Sequence, residues 1–148
     1  MYYFTVFVLL SLGLHFGSSV ILSDQLKNSL KKIATDCQEK AGASPSDIQA
    51  LKNRRLPQTE TGLCMLECVF NKVKIMNNGQ FDKDGLVMAA TPLLKGDIMK
   101  LHKLKDLADF CDQQIGRGSK GKCQNVKLLV NCVYKHGRDY GLKIPTSM

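Results

Sequence analysis

The chain has 148 residues, 44% of them hydrophobic, with six cysteines and no tryptophan; 21 lysines and arginines against 13 acidic residues give a formal net charge of +8. That is enough for one domain with a core of its own. It argues against a nucleic-acid platform, because the densest basic runs, Lys52-Asn53-Arg54-Arg55 and Arg117-Gly118-Ser119-Lys120-Gly121-Lys122, contain no aromatic face on which a base could stack.

From Met1 to about Ser19 the chain is rich in Tyr, Phe, Val and Leu and carries no charged side chain. The run Phe4 to Leu14 has the length of a signal-peptide core and is too short to span a bilayer. Gly17-Ser18-Ser19 supplies small residues for cleavage, with a second acceptable cut after Ser23. Residues 1–19 are therefore expected to be an export signal, and residues 20–148 a single helical domain. No other stretch is long and apolar enough for stable membrane insertion.

Every later segment reads as helix, punctuated by Gly and Pro. Asp24 to Glu39 repeats apolar residues at Leu26, Leu30, Ile33, Ala34 and Cys37, and Gly42 ends it. Ser44 caps a second helix, with Pro45 at its first position and Asp47 three residues on, an acidic capping box. This helix is expected over Asp47 to Leu56, with Pro57 as its stop. Thr59 or Thr61 starts a third, running to about Met76, with Leu63, Leu66, Val69, Phe70 and Val73 in one stripe and Cys64 and Cys68 beside it. Asn77-Asn78-Gly79 breaks it.

Asp82-Lys83-Asp84-Gly85 is similar to the middle of a calcium loop. Gln80 and Thr91 fall where two of the strongest ligands belong, so no metal site is expected, only a turn into a fourth helix, Leu86 to Ala90. Pro92 and Gly96 end that piece. Asp97 caps a fifth helix reaching about Gln114, with a stripe of Ile98, Leu101, Leu104, Ala108 and Cys111. Gly116 to Gly121 is a glycine-rich turn without a phosphate-loop pattern. A sixth helix runs from about Cys123 to Asp139, with Val126, Leu129, Val130, Val133 and Tyr134 on one side. A tail, Leu142 to Met148, follows Gly141.

Cys37, Cys64, Cys68, Cys111, Cys123 and Cys132 are separated by gaps of 26, 3, 42, 11 and 8 residues. An even count in a short exported chain reads as a disulfide framework. Cys64 and Cys68 share one helix face, one turn apart, and each more plausibly reaches another element than its neighbour. Cys123 and Cys132, nine apart, fall on opposite sides of one helix and cannot pair while it stands. Excluding these two pairs leaves most of the possible connectivities open.

The spacing resembles that of the insect odorant-binding proteins, from about Leu22 to the C-terminus. The resemblance implies an all-α fold: a compact six-helix domain cross-linked by three disulfides around an apolar ligand pocket. It implies bridges from first to third, second to fifth and fourth to sixth cysteine: Cys37–Cys68, Cys64–Cys123 and Cys111–Cys132. It also implies a secreted, extracellular carrier, in sensillar lymph or a glandular secretion. Such a carrier binds small hydrophobic molecules (odorants, pheromones or similar semiochemicals), as a monomer or weak dimer, and delivers them to an olfactory receptor. No cofactor is implied.

Pocket walls drawn from the apolar stripes are Leu66, Val69, Phe70, Val73 and Met76 of the third helix, Met88 of the fourth and Leu93 after it. Ile98, Leu101 and Phe110 come from the fifth helix, and Val126, Leu129, Val130, Val133 and Tyr134 from the sixth. Ile144 of the tail is expected to lie extended as a further wall, in alternation with Tyr140 and Leu142. Tyr134, Tyr140, His102 and Asn131 are candidates to orient a ligand's polar group. A response to pH near neutrality would have to come from His102 or His136.

Nothing composes a catalytic site. There is no nucleophile-elbow serine and no Cys-x-x-Cys, and all six cysteines fit a bridge pattern. A non-enzymatic binder is expected. The charge of +8 supports a second reading, a cationic secreted effector acting on anionic membranes or host molecules.

Overall fold

Helix ends in this chain are set by which side chain or backbone twist satisfies the orphan N–H and C=O groups. The computed structural model describes residues 24–118 and 120–142. The chain divides into two units, residues 1–35 and 36–148. In the first, residues 24–35 are helical, with Leu26 and Leu30 exposed. The second unit opens on a helical stretch, residues 36–41 (α1).

The second unit continues with α2 (Pro45–Lys52) and α3 (Glu60–Lys72). Two short antiparallel strands follow, β1 (Met76–Asn77) and β2 (Gln80–Phe81), with Met76 opposite Phe81. Then come α4 (Lys83–Ala90), a 3-10 turn (Thr91–Leu94), α5 (Ile98–Ile115) and α6 (Gln124–His136). The principal helix pairings are α3 with α6, α4 with α5 and α5 with α6.

The starts follow the capping residues. Thr59 Oγ1 accepts from the Gly62 N–H at 3.0 Å, and Asp97 Oδ1 from the Lys100 N–H at 3.0 Å. The Asp82 side chain is a cap too, Oδ1 accepting from the Gly85 N–H at 2.9 Å. It starts α4 at Lys83, three residues before the expected Leu86.

The stops depart further from expectation. α2 ends at Lys52 and not at Leu56; α3 ends at Lys72 and not near Met76. In each case a basic residue takes the left-handed conformation that usually belongs to glycine: Arg54 at φ 57° and Lys74 at φ 66°. Each closes a Schellman pair. Arg54 and Arg55 N–H donate to the Leu51 and Ala50 carbonyls (3.0 and 2.8 Å), and Lys74 and Ile75 N–H to those of Asn71 and Phe70 (3.2 and 2.9 Å). No Gly or Pro marks either stop. The Asn77-Asn78-Gly79 break is a hairpin: Asn78 and Gly79 both have positive φ, 50° and 75°, as a tight two-residue turn requires. α6 also ends early, at His136. Tyr140 then sits in a turn, with the Leu142 N–H donating to the Gly137 carbonyl at 2.9 Å, and not in an extended segment.

The buried core of the unit is Leu63, Met76, Val126 and Leu129, with Leu104, Leu107, Ala108 and Cys111 along α5. Three bridges cross it: Cys37–Cys68 ties residue 37 to α3, Cys64–Cys123 ties α3 to the residue before α6, and Cys111–Cys132 ties α5 to α6. Opening Cys64–Cys123 frees a loop of 59 residues. The double Ser variant should lose about 2–5 kcal/mol in chemical denaturation.

Asp47 joins two helix starts. Its Oδ2 accepts from the Ser44 N–H and hydroxyl, both at 2.9 Å, which closes the box on α2. Its Oδ1 accepts from the Thr59 hydroxyl at 2.6 Å, and Thr59 caps α3. The Thr61 hydroxyl adds a longer bond at 3.3 Å. The Thr59 bond, with those from Ser44 and Thr61, holds the carboxyl below the usual range despite its burial. A depressed folded-state value means the stabilisation is whole above the unfolded value and disappears as pH falls through the folded one. Asp47→Ala should cost about 2–4 kcal/mol near neutrality. Asp47→Asn should flatten the loss of melting temperature that the parent protein shows below about pH 4.

Candidate functional site

The α3 turn, α4 and α6 converge on an apolar hollow of about 150 Å³. Phe70 from the last turn of α3, Ile75 after it and Leu86 of α4 form one side; Leu129, Val130, Val133 and Tyr134 of α6 form the other. No charged side chain lines it. The surface it presents is wholly apolar, Tyr134 contributing its ring and not its hydroxyl.

The hollow exists because α3 stops at Lys72. Had the helix run on, Met76 would continue the stripe of Leu66, Val69, Phe70 and Val73. The left-handed Lys74 breaks the phase. Met76 turns onto β1 and is fully buried in the core, while Ile75 reaches the hollow. The hairpin is then tied to α6, the Asn125 side-chain amide donating to the Gly79 carbonyl at 2.8 Å. Burial pushes the Glu67 carboxyl up, but Glu67 lies beside Gly79 and does not line the hollow.

Five residues named from the sequence meet here: Phe70, Leu129, Val130, Val133 and Tyr134. Ile75 and Leu86 join them. Neither falls on a helical stripe; an Asn-Gly hairpin reading of residues 76–81, placing Ile75 outside α3, is the signal that points to the first. The other named residues lie elsewhere. Val126 is fully buried in the core, and Leu66 packs against that core from a half-buried position. Val69 and Val73 are half-buried on α3 and at its C-cap, outside the lining. Phe110 packs edge-on against the His136 ring, centroids 4.7 Å apart, with Tyr140 at 6.1 Å. Leu101 lines a separate hollow of about 100 Å³ with Leu94 and Ile98. Met88, Leu93 and Ile98 are largely exposed, because the core-facing side of α5 begins at Leu104 and the preceding turn projects outward. Ile144 lies outside the described residues.

Tyr134 also borders a second, wider groove of about 710 Å³. Its walls are mixed: Leu56, Pro57 and Ala50 beside Arg55, Lys127, Asn131 and Asp47. Of the other expected orienting groups, Asn131 lies in this wider groove, His102 is exposed on α5, and Tyr140 packs near Phe110. All six cysteines are bonded, so no thiol is left for nucleophilic chemistry. Among the described residues no cluster of His, Cys, Asp and Glu could hold a metal ion, and no helix is long and apolar enough to cross a membrane.

Solved insect odorant-binding proteins share this fold. Odorant-binding protein OBP28a from Drosophila melanogaster superposes with a TM-score of 0.63 at 21% identity, covering 80% of this chain and 97% of its own. Apis mellifera odorant binding protein 5 gives 0.57 at 19% identity, covering 82% and 96%. The fatty acid binding protein OBP56a from the oral disk of the blowfly Phormia regina gives 0.59 at 14% identity, covering 78% and 94%. No individually curated protein matches the chain. The model of the PBP/GOBP family matches residues 20–136, most of the sequence. The chain belongs to the PBP/GOBP family.

Proposed function

We propose that the protein is a secreted carrier that takes small hydrophobic molecules out of water and delivers them to membrane receptors. The observation that carries this reading is the hollow between α3, α4 and α6. Seven residues line it with apolar surface alone, and disulfides fasten α3 and α6, which bear five of them. The neighbouring structures are named for odorant and fatty-acid binding, which supports the same use here.

The mechanism is partition. Apolar ligand surface leaves water with a gain of about 25 cal/mol per Å². A hollow of about 150 Å³ suits a ring or a short alkyl segment, the scale of an apolar cavity that holds benzene. The bridges fit an oxidising, extracellular setting, with residues 1–19 as the export signal and residues 20–148 as the carrier.

Displacement of an apolar fluorescent probe tests this. Binding should be insensitive to salt, since no charge lines the hollow. Val130→Trp should fill the space and weaken probe binding by about tenfold or more, while melting temperature changes by only a few degrees. Probe binding that survives while the variant loses its fold would identify the α6 stripe as solid core.

A further inference from the structure

The wider groove has a charge pattern that the hollow lacks. Its space of about 710 Å³ lies between the start of α2, the link from α2 to α3 and one strip of α6. Lys127, Asn131 and Tyr134 are spaced four and three residues apart on α6, so they form one row along that helix. Val130 and Val133, on the neighbouring strip, line the hollow. Tyr134 belongs to both linings, and every other residue belongs to one alone. The groove and the hollow therefore adjoin along α6 but are walled by different side chains.

Two cations border the groove, Arg55 from the link and Lys127 from α6, and neither makes an ion pair among the described residues. One carboxylate borders it too, but that carboxylate is already engaged: Asp47 accepts from Ser44, Thr59 and Thr61. The balance around the lining is positive as well. Residues 48–59 contain Lys52, Arg54 and Arg55, residues 124–138 contain Lys127, Lys135 and Arg138, and neither segment contains an acidic residue. The next acids along the chain have partners of their own, Glu60 with Lys122 at 3.5 Å and Asp139 with His136 at 3.4 Å. Ala50, Leu56 and Tyr134 give the groove apolar wall, and Gln58 and Asn131 give it neutral hydrogen-bonding groups.

That combination selects its occupant. A neutral apolar molecule would gain nothing from the two cations, and a bare inorganic anion would gain nothing from the apolar wall. A small molecule that joins an apolar body to an anionic group uses both. Its anion meets the Arg55 guanidinium and the Lys127 ammonium in charge-assisted hydrogen bonds, and its body covers Ala50, Leu56 and Tyr134. We propose that the groove between α2 and α6 is a second binding site, for small amphiphilic anions, separate from the hollow. This does not depend on what the hollow holds.

The test uses two fluorescent dyes that differ by a sulfonate alone: anilinonaphthalene sulfonate and its uncharged parent, phenylnaphthylamine. Each is titrated into the purified protein at about 0.02 M and about 0.5 M salt. The sulfonate dye should bind, and its affinity should fall by about tenfold in Arg55→Gln/Lys127→Gln and fall also at the higher salt. Val130→Trp, which fills the hollow, should leave that affinity unchanged. The neutral dye should behave in reverse, weakened by Val130→Trp and indifferent to salt and to the double substitution. Arg55 is exposed and Lys127 half-buried, outside the core, and circular dichroism and melting temperature should report an intact fold. Failure of the sulfonate dye to bind, binding that survives Arg55→Gln/Lys127→Gln, or binding lost in Val130→Trp would overturn the proposal. Sulfonate binding with the expected pattern supports the groove even where the neutral dye does not bind, an outcome that counts against the hollow alone.

Discussion

The position of α6 depends on how its first turn is held. That helix supplies four of the seven walls of the hollow and two members of the core, Val126 and Leu129. Its start has no side-chain cap, because the preceding residue, Cys123, sits in the left-handed region at φ 55°. What fixes it is tertiary: the bridge from Cys123 to Cys64 on α3, and the bond from Asn125 to the Gly79 carbonyl of the hairpin. Gly118 belongs to the same arrangement, since a Cβ there would run into the Asn125 side chain. The bridge sets distance and the amide bond sets rotation, so the apolar side of α6 faces α3 and α4.

A second constraint is backbone strain accepted at charged residues. Arg54 and Lys74 spend conformational energy that glycine would not, on the order of 1–2 kcal/mol each. They are exposed, so their long side chains meet no steric obstacle. In return, two helices stop short and the chain turns sharply. The turn at Lys74 brings its carbonyl against the first turn of α4, where only Gly85 fits, because a Cβ at that position would collide with it. Leu86, the next residue, thereby reaches the hollow beside Ile75. A strained lysine, a glycine inside a helix and a tight hairpin are thus parts of one device that opens space beside α3.

Charge and cavity are separate in this molecule. The hollow is lined without charged side chains, whereas most of the described lysines and arginines are exposed. Partition into the hollow responds to apolar area, and the surface responds to ionic strength.

Several features were legible in the sequence, because they are local. Gly42, Ser44, Thr59 and Asp97 mark helix ends by hydrogen bonds that close within a few residues, and the cysteine spacing carries the family and its helical fold. Apolar periodicity identified the α6 side that meets the hollow, since a helix of thirteen residues keeps its phase. The rest was decided by packing between distant segments. Periodicity could not stop α3 at Lys72, because lysine has no intrinsic preference for the left-handed conformation that ends it. It could not tell Met76 in the core from Ile75 in the hollow, since that choice follows from the broken phase. Nor could it show that Met88, Leu93 and Ile98 face outward. An apolar stripe states only that a side chain would gain from burial; whether another element arrives to bury it is settled by where α5 begins to touch its neighbours.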